Sequence, residues 1–518
     1  MTSPVNPSSI WDTQIALPIA FLSVALLFVI QKYQQAPAKR PYPPGPKPKP
    51  LLGNAFDLPL DKGWETYLRW SKEYNSDIVS ATALGQPIIA LNSRECAIEL
   101  LEKRGRIYSS RHVIPMIELF GWHEFNIVTQ PYGPLWRRHR RVFQQSFRQE
   151  ASINYQPAQI QKVRDALSSI LHTPNEFLGH LQTLSGAIIM SVVYDYDVSP
   201  TNDHFLDVVN RALEIATSAV LPGTHLVNTI PILRHLPAWF PGANFHRVAV
   251  YCRRLTHEIQ KAPYEMVRKK MAEGNTRSVL SKLLRQNDAR GGSKEDERVI
   301  SDAMTIAYAA GNETTISTFE WFVLAMALNP DIQRKGQREI LQLIGNSRLP
   351  TFEDRPALPY IEAIYREMLR WKPVLPLGVP HKSTEDDHYN GYFVPKGSIV
   401  LSNIWAMTRN EVDYPEPEKF KPGRFIDEHG NLTDDDRVLA YGFGKRICPG
   451  KYFASSSVWL FIACFLTTFD VTKAKDDEGN EVDIPVDGTG GFVSHPLPFK
   501  CSITPRSEAA KRLIESTD

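Results

Sequence analysis

The sequence has few cysteines, none of them closely paired, and its positive and negative charges nearly balance. Only five cysteines occur in 518 residues, they are far apart, and no two form a Cys-x-x-Cys pair. This spacing argues against a disulfide framework and a cysteine-based zinc site, and it fits a reducing compartment. The 59 basic residues nearly balance the 57 acidic ones, which argues against a nucleic-acid-binding protein. No repeat of fixed period is visible.

One long apolar run lies near the N-terminus. Residues 15–30 are almost entirely apolar, and extension back to Trp11 gives about 20 residues, enough for a helix to cross a bilayer. We therefore predict a short lumenal N-terminus at 1–10 and a transmembrane anchor at 11–31. Basic residues follow the run and only Asp12 precedes it, so the positive-inside rule predicts a cytosolic remainder. A cleaved signal peptide, the alternative, usually has a basic start and a shorter apolar core.

A proline-rich hinge follows the predicted anchor. Six of the ten residues at 41–50 are proline, a density that stops a helix and stiffens the chain into an extended spacer. We predict a linker over 32–54 and a charged, frayed tail over 508–518; the length of the folded segment between them, 55–507, would by itself allow either several domains or one large domain.

The domain is predicted to be mainly α with small β-sheets. Most of the chain after Ser93 has the apolar period of a helix, and short apolar pieces bounded by turn residues predict strands. Residues 287–297 (NDARGGSKEDE) are polar and predict a surface loop before a long helix. Strands are predicted at 78–82, 87–91, 391–394 and 398–400, with a turn at Gly85-Gln86, and helices at 206–219, 316–328 and 359–371.

Cys448 lies in a glycine-rich loop at 441–450 (YGFGKRICPG). Lys445, Arg446 and Lys451 surround the thiol, and nearby cations favour a thiolate. Glycines let the backbone approach a flat partner closely, and backbone N–H groups can donate to a metal-bound sulfur. The loop therefore predicts a thiolate metal ligand, with a structural buried cysteine as the alternative.

Three further motifs accompany this loop. Residues 310–315 (AGNETT) lie inside an apolar run, Glu367 and Arg370 share one helix face, and so do Trp136 and Arg140 in the basic segment WRRHRR. Each has a simpler explanation when taken alone: a buried helix with an incidental glycine, an exposed ion pair, or a solvated basic face.

Taken in this order, the motifs closely resemble the cytochrome P-450 family of haem-thiolate monooxygenases. The cysteine loop is similar to the family's Phe-x-x-Gly-x-Arg-x-Cys-x-Gly, with Tyr441 in place of the leading phenylalanine. The AGNETT segment resembles the oxygen-activating turn of the family. The proline hinge resembles that of microsomal members. The sequence as a whole resembles fungal members, which often serve secondary metabolism.

The resemblance implies haem b with Cys448 as the axial thiolate, a ligand that favours O–O cleavage. Gly311 would leave room for the flat cofactor and O₂. Glu313 and Thr314 would deliver protons, and Thr314 would bond back to a carbonyl and open a kink. The domain over 55–507 would then be the haem-thiolate catalytic domain.

Further residues follow from the same resemblance. Arg424, after Gly423 where the family usually has glutamate, would join Glu367 and Arg370 in a buried structural triad. The expected donors to the haem propionates are Trp136, Arg140, His381 and Arg446.

The implied electron source is NADPH through a separate NADPH–haemoprotein reductase, because no flavin-binding segment is visible. The implied location is the endoplasmic reticulum membrane, single-pass, with a cytosolic catalytic domain. The remaining basic residues, Arg137, Arg138 and Arg141, either face solvent or form a docking patch for an acidic reductase. The sequons at Asn312 and Asn431 would not be glycosylated in the cytosol.

By family position, the substrate pocket is expected at 111–125, 221–240 and 374–379. These segments are mostly apolar, as ligand pockets usually are, although core packing would explain many of their residues equally well. The middle segment could dip into the membrane and admit a lipophilic substrate such as a terpenoid. Two alternatives stay open: an O₂-independent haem-thiolate isomerase or dehydratase, which often lacks the acid–threonine pair, and a non-catalytic haem sensor, which would not need it.

Overall fold

The computed structural model describes residues 41–220, 224–435 and 438–515. The predicted N-terminus at 1–10, the anchor at 11–31 and the beginning of the linker lie outside these ranges.

The described end of the linker is attached to the folded domain. Ser80 donates its backbone N–H to the Pro44 carbonyl at 2.8 Å and its hydroxyl to the Pro43 carbonyl at 2.5 Å. A Cβ on Gly45 would stand 1.8 Å from the carbonyl oxygen of Ser80, so this close approach requires glycine. This part of the linker therefore packs on the domain instead of forming a free spacer.

The strands of the described ranges form three small sheets. β1 and β2 make a hairpin whose turn is Leu84-Gly85, both at positive φ, as a two-residue type I′ turn requires. This turn lies one residue before the predicted one. The five-stranded sheet has the order β1-β2-β7-β4-β3, and β5-β6 and β8-β9 are antiparallel pairs. The strands are β1 Ile78–Ala83, β2 Gln86–Leu91, β3 Ser110–Arg111, β4 His381–Lys382, β5 Asp387–Tyr389, β6 Tyr392–Val394, β7 Ile399–Ser402, β8 Phe469–Lys473 and β9 Cys501–Pro505.

Helices make up most of the described chain, as predicted. The α-helices are α1 Gly63–Glu73, α2 Arg94–Ala97, α3 Gly105–Tyr108, α4 Pro115–Leu119, α5 Pro134–Phe147, α6 Gln149–Ser152, α7 Gln156–His172, α8 Phe177–Tyr194, α9 His204–Ser218, α10 Leu226–Thr229, α11 Phe245–Ala272, α12 Val279–Ala289, α13 Lys294–Leu328, α14 Pro330–Ile344, α15 Pro359–Trp371, α16 Ile404–Met407, α17 Lys451–Thr468 and α18 Glu508–Glu515. A π-helix covers Ile98–Lys103, and 3₁₀ turns cover Ile153–Tyr155, Pro174–Glu176, Pro231–His235, Phe352–Ala357, Pro422–Phe425, Leu439–Tyr441 and Gly444–Arg446.

The 35-residue helix α13 runs through the core. It begins with a capping box in which Ser293 and Asp296 satisfy each other's backbone N–H groups. Most of its side chains from Val299 to Ala327 are buried, which is the pattern of a helix surrounded by other elements. It packs against α8 and carries the predicted AGNETT turn in its middle.

Two predictions about polar segments are wrong. The predicted loop at 287–297 is much shorter, because α12 continues to Ala289 and the capping box of α13 starts a helix within the charged run. The predicted frayed tail forms α18, because its apolar residues recur at helical spacing and bury Ala510 and Ile514.

Among the described residues, one helical stretch, Pro174–Tyr194, is long and apolar enough to cross a membrane. About two thirds of it is buried inside the fold, as expected for a core helix.

Candidate functional site

Cys448 lies between a 3₁₀ turn and the start of α17. Its backbone N–H donates to the Tyr441 carbonyl at 2.8 Å, which closes the loop. Gly444 has a φ of 54°, and a Cβ there would stand 2.4 Å from the Leu101 carbonyl oxygen, so the loop needs glycine at this position. Cys448 is partly accessible, whereas the other four cysteines are buried. Cys448 is thus the most accessible of the five cysteines.

The groups around the Cys448 thiol have opposite effects on its pKa. Burial raises the pKa of Cys448, while the backbone N–H of Gly450 and the charges of Arg140 and Lys451 act to lower it without outweighing burial. A metal cation would reverse this balance and bind the thiolate. Within the described residues, no three His, Cys, Asp or Glu side chains cluster as a metal site. The thiol therefore fits a metal whose other ligands belong to a cofactor.

Two partly buried cations, Arg446 and Arg140, accompany Cys448. Arg446 donates to the carbonyls of Ser109, Ile127 and Gln130 at 2.6, 3.1 and 2.7 Å. Arg140 donates to the Ile447 carbonyl, directly before Cys448, at 2.7 Å.

Arg111 extends this cation cluster. Its guanidinium donates to the carbonyls of Val128, Val379 and Pro380. Burial and the charge of Arg446 hold its pKa well below the usual value. From the sequence, Arg111 was expected only at the edge of the substrate pocket, because nothing local indicates its interaction with Arg446.

No carboxylate forms an ion pair with Arg111, Arg140 or Arg446 within the described part of the chain. Burial and the charge of Arg140 lower the pKa of Arg446 to about 9. Cations that are buried, as Arg111 is, or partly buried, as Arg140 and Arg446 are, ordinarily have an anionic partner, so this cluster carries uncompensated positive charge beside the thiol. An anionic group such as the two propionates of haem fits it, and the residues present are consistent with haem binding.

The other two predicted propionate donors, Trp136 and His381, lie beside the same cations. Trp136 is buried, and the Arg446 guanidinium stacks on its ring at 4.5 Å. His381 is buried, with Nδ1 at 2.7 Å from the Tyr108 carbonyl. Burial and the charge of Arg111 hold the pKa of His381 well below its usual value. A carboxylate nearby would oppose both effects.

The predicted turn on α13 has one confirmed contact. The Thr314 hydroxyl donates to the Ala310 carbonyl at 2.9 Å, the predicted back-bond. Gly311 has a packing contact: a Cβ there would stand 3.4 Å from Ile189 on α8. Ser185, also on α8, donates to the Asn312 carbonyl at 2.7 Å. A Cβ at that distance makes an ordinary packing contact, so the helix crossing does not by itself require glycine at position 311, and the contact of Gly311 with a cofactor stays a prediction.

Glu313 reaches a cavity of about 440 Å³. Burial raises its pKa to about 7, although the charge of His495 acts in the opposite direction. His495 and its partner Glu320 were not predicted from the sequence. They line the same cavity, with His495 Nδ1 2.8 Å from Glu320 Oε2. The helical spacing of Glu313 and Glu320 was the only local signal.

The three residues of the predicted triad come together. The buried Glu367 accepts from Arg370 Nε at 2.6 Å and Nη2 at 2.9 Å, and from Arg424 Nε at 3.3 Å. It also accepts the backbone N–H of Lys421 at 2.7 Å. These contacts join α15 to the segment containing Arg424; the role of the triad in supporting the cysteine loop stays a prediction.

The basic face of α5 is partly neutralised. Arg138 forms ion pairs with Glu295 at 3.2 Å and Asp296 at 3.0 Å, whereas Arg137 and Arg141 are exposed. The surface available to an acidic partner on this helix is therefore smaller than the sequence indicates.

The expected pocket segment 111–125 is largely core. Met116, Phe120 and Phe125 have no accessible surface, and Trp122 donates its indole N–H to Thr256 on α11 at 2.8 Å. A residue without accessible surface does not border a water-sized space, so Met116 and Phe120 follow the alternative that the sequence left open for this segment, core packing. Both belong to the main hydrophobic core, and α4 packs against α11.

Comparison with known proteins agrees with this geometry. The family model described as cytochrome P-450 matches residues 43–503. The chain is 38% identical to cytochrome P-450 monooxygenase ple1 of Rhodocybe pseudopiperita, over 98% of this chain and 97% of that protein. It is 40% identical to cytochrome P-450 monooxygenase 208 of Postia placenta, over 96% of each. It is 36% identical to cytochrome P-450 monooxygenase claR of Ampulloclitocybe clavipes, over 98% and 93%.

The matches extend over almost the whole chain, and the range 43–503 of the family model spans Cys448, the cation cluster and the acid–threonine turn. They agree with the predicted enzyme class and cofactor, an oxidoreductase that uses haem iron. The chain belongs to the cytochrome P-450 family of haem-thiolate monooxygenases.

Proposed function

We propose that this enzyme hydroxylates a lipophilic small molecule, such as a terpenoid or another fungal secondary metabolite, with electrons from NADPH through a separate reductase. The observation that carries the proposal is the partly accessible Cys448 beside the buried Arg111 and the partly buried Arg140 and Arg446, none of which has a carboxylate partner among the described residues. The acid–threonine pair of α13 supports an O₂-dependent reaction over the isomerase and sensor alternatives, which do not require proton delivery.

The roles of the residues follow from their positions. Bound haem would supply O₂ activation and C–H oxidation. Cys448 would hold the iron, and Arg111, Arg140, Arg446, Trp136 and His381 would hold the propionates. Glu313, with its pKa near neutrality, would give up protons and regain them from solvent. Thr314 would orient the water that receives them.

A surface near α10 supports a lipophilic substrate and a membrane location. Its apolar side chains lie in solvent: Leu226, Ile232 and Trp239 are 68%, 71% and 80% exposed, and Phe240 is 44% exposed. Such a patch usually marks an interaction surface. Insertion into the headgroup region would cover it, in agreement with an anchor at 11–31 in the endoplasmic reticulum membrane and a cytosolic catalytic domain.

The first test concerns the thiol. The CO-difference spectrum of the reduced wild-type protein is expected to show the red-shifted Soret band of thiolate-ligated haem, which Cys448→Ala should lose. Cys501→Ala is the matched control, because it removes a buried thiol far from the loop in sequence and should keep the band. A haem-loaded, folded wild type without the band would contradict the proposal.

The second test concerns turnover. Full-length protein with reductase and NADPH, supplied with a terpenoid panel, should form a product heavier by one oxygen atom, and ¹⁸O₂ should label it. Product formation without O₂ would favour the isomerase or dehydratase alternative.

A further inference from the structure

The cavity at Glu313 lies against one face of α13. Glu313 and Glu320 are seven residues apart, so two turns of helix place them on the same face. His495 reaches the cavity from the loop between β8 and β9, and Glu214 reaches it from α9. A volume of about 440 Å³ holds on the order of ten waters.

The cavity connects this face with solvent. Its rim contains exposed residues from two helices, namely Gly179, Gln182, Glu214 and Ser218. Within the described chain, Glu313 has no ion-pair partner, and His495 is the one charged group that shifts its pKa. Water that enters the cavity would be able to hydrogen-bond to the Glu313 carboxyl, which lines it.

His495 is held in place. The Ser494 carbonyl accepts the Ser317 hydroxyl at 2.7 Å and the Trp321 indole N–H at 3.0 Å, which fixes the loop to α13. The His495 ring is 2.8 Å from Glu320. Burial acts to lower the pKa of His495, but Glu320 and, more weakly, Glu313 outweigh it and raise the pKa.

We propose that this cavity is the entrance for the protons that Glu313 delivers, and that the His495–Glu320 pair relays them from solvent. The inference rests on the proposed monooxygenase function. A proton passes from cavity water to the imidazole, from the imidazolium through water to the Glu313 carboxylate, and from Glu313 toward Thr314. Each group regains its first protonation state, and no electron moves. An imidazole suits this role because it gains and loses a proton near neutral pH.

The test compares His495→Gln and Glu320→Gln with His204→Gln in the full-length protein. His204 is the matched control, because its Nε2 lies 2.7 Å from Glu258 in an exposed pair that does not line the cavity. The first readout needs no turnover: a pH titration of the Glu313 carboxyl by difference infrared spectroscopy, with the band assigned by Glu313→Gln. His495→Gln should move the Glu313 midpoint to higher pH, since the imidazolium lowers that pKa, and His204→Gln should not move it.

The second readout is substrate-free NADPH oxidation with reductase. His495→Gln and Glu320→Gln should raise the peroxide share of the consumed O₂ several-fold and enlarge the solvent isotope effect, at unchanged haem content. An unmoved midpoint together with wild-type peroxide release would overturn the relay. Wild-type protein that lacks the thiolate band and NADPH oxidation would refute the proposed function instead, and the infrared titration would still decide whether His495 and Glu313 interact.

Discussion

Replacement of Glu367 by glutamine tests whether the buried ion pairs of the triad contribute more to the stability of the fold than an exposed ion pair does. The carboxylate is fully buried and accepts bonds from Arg370, Arg424 and the Lys421 N–H. Glutamine keeps the volume but leaves the buried Arg370 guanidinium and the nearby Arg424 without a counter-charge. Removal of one partner from a buried pair costs about 3–5 kcal/mol, a large part of the ~5–15 kcal/mol that stabilises a typical domain.

The chain offers a matched control for this change. Arg106 donates Nη1 and Nη2 to the two carboxylate oxygens of Glu385 at 2.9 and 3.0 Å, but this pair is exposed. Glu385→Gln should cost no more than about 1 kcal/mol. Urea unfolding by circular dichroism, with haem content measured alongside, compares the two variants. An equal loss of stability in both would refute the argument from burial.

Three further predictions concern the site. Thr314→Val removes the hydroxyl that donates to the Ala310 carbonyl. Product formation should fall by about 10²-fold if proton delivery is lost, while haem binding is retained. The control Thr318→Val loses an equivalent hydrogen bond to the Thr314 carbonyl, and its rate of product formation should stay near that of the wild type. Tyr441→Phe restores the usual family residue and removes the 2.9 Å hydrogen bond to the Tyr365 hydroxyl. It should lower the free energy of unfolding by about 1 kcal/mol and keep the thiolate Soret band. Loss of that band would show that the Tyr441 hydroxyl is needed for the thiolate ligand. Because the pKa of Glu313 is raised to about 7 in the folded state, the folded protein binds more protons than the unfolded chain between about pH 4.5 and 7. The free energy of unfolding should therefore fall as pH rises through this window, and Glu313→Gln should remove this pH dependence. An unchanged pH dependence in the variant would show that Glu313 is not its source.

Local patterns predicted the local parts of the structure. The helix at Pro359–Trp371 has the predicted bounds, and the Glu367–Arg370 pair forms because residues three apart share a helix face. The loop around Cys448 was also predictable, since its glycines and its thiol are contiguous. The polar run at 287–297 misled the analysis, because charged residues that cap a helix resemble those of a loop.

Contacts between distant segments could not be predicted in the same way. Glu320 and His495 are far apart in the sequence, and no periodicity indicates that a loop after β8 turns back onto α13. The electrostatic interaction of Arg111 with Arg446 is of the same kind. Apolar residues such as Phe120 could line a pocket or fill the core, and composition does not distinguish these outcomes; only the burial of the side chain in the structure does.

The three guanidiniums beside Cys448 have a consequence for how the protein is made. They are bonded to backbone carbonyls and repel one another, so the folded chain accumulates unfavourable charge that a bound anionic cofactor would neutralise. A ligand that binds only the folded state adds about 4 kcal/mol of stability at a thousandfold excess over its Kd. Folding and cofactor capture are then coupled by mass action, and the yield of intact enzyme in a cell will follow the supply of haem.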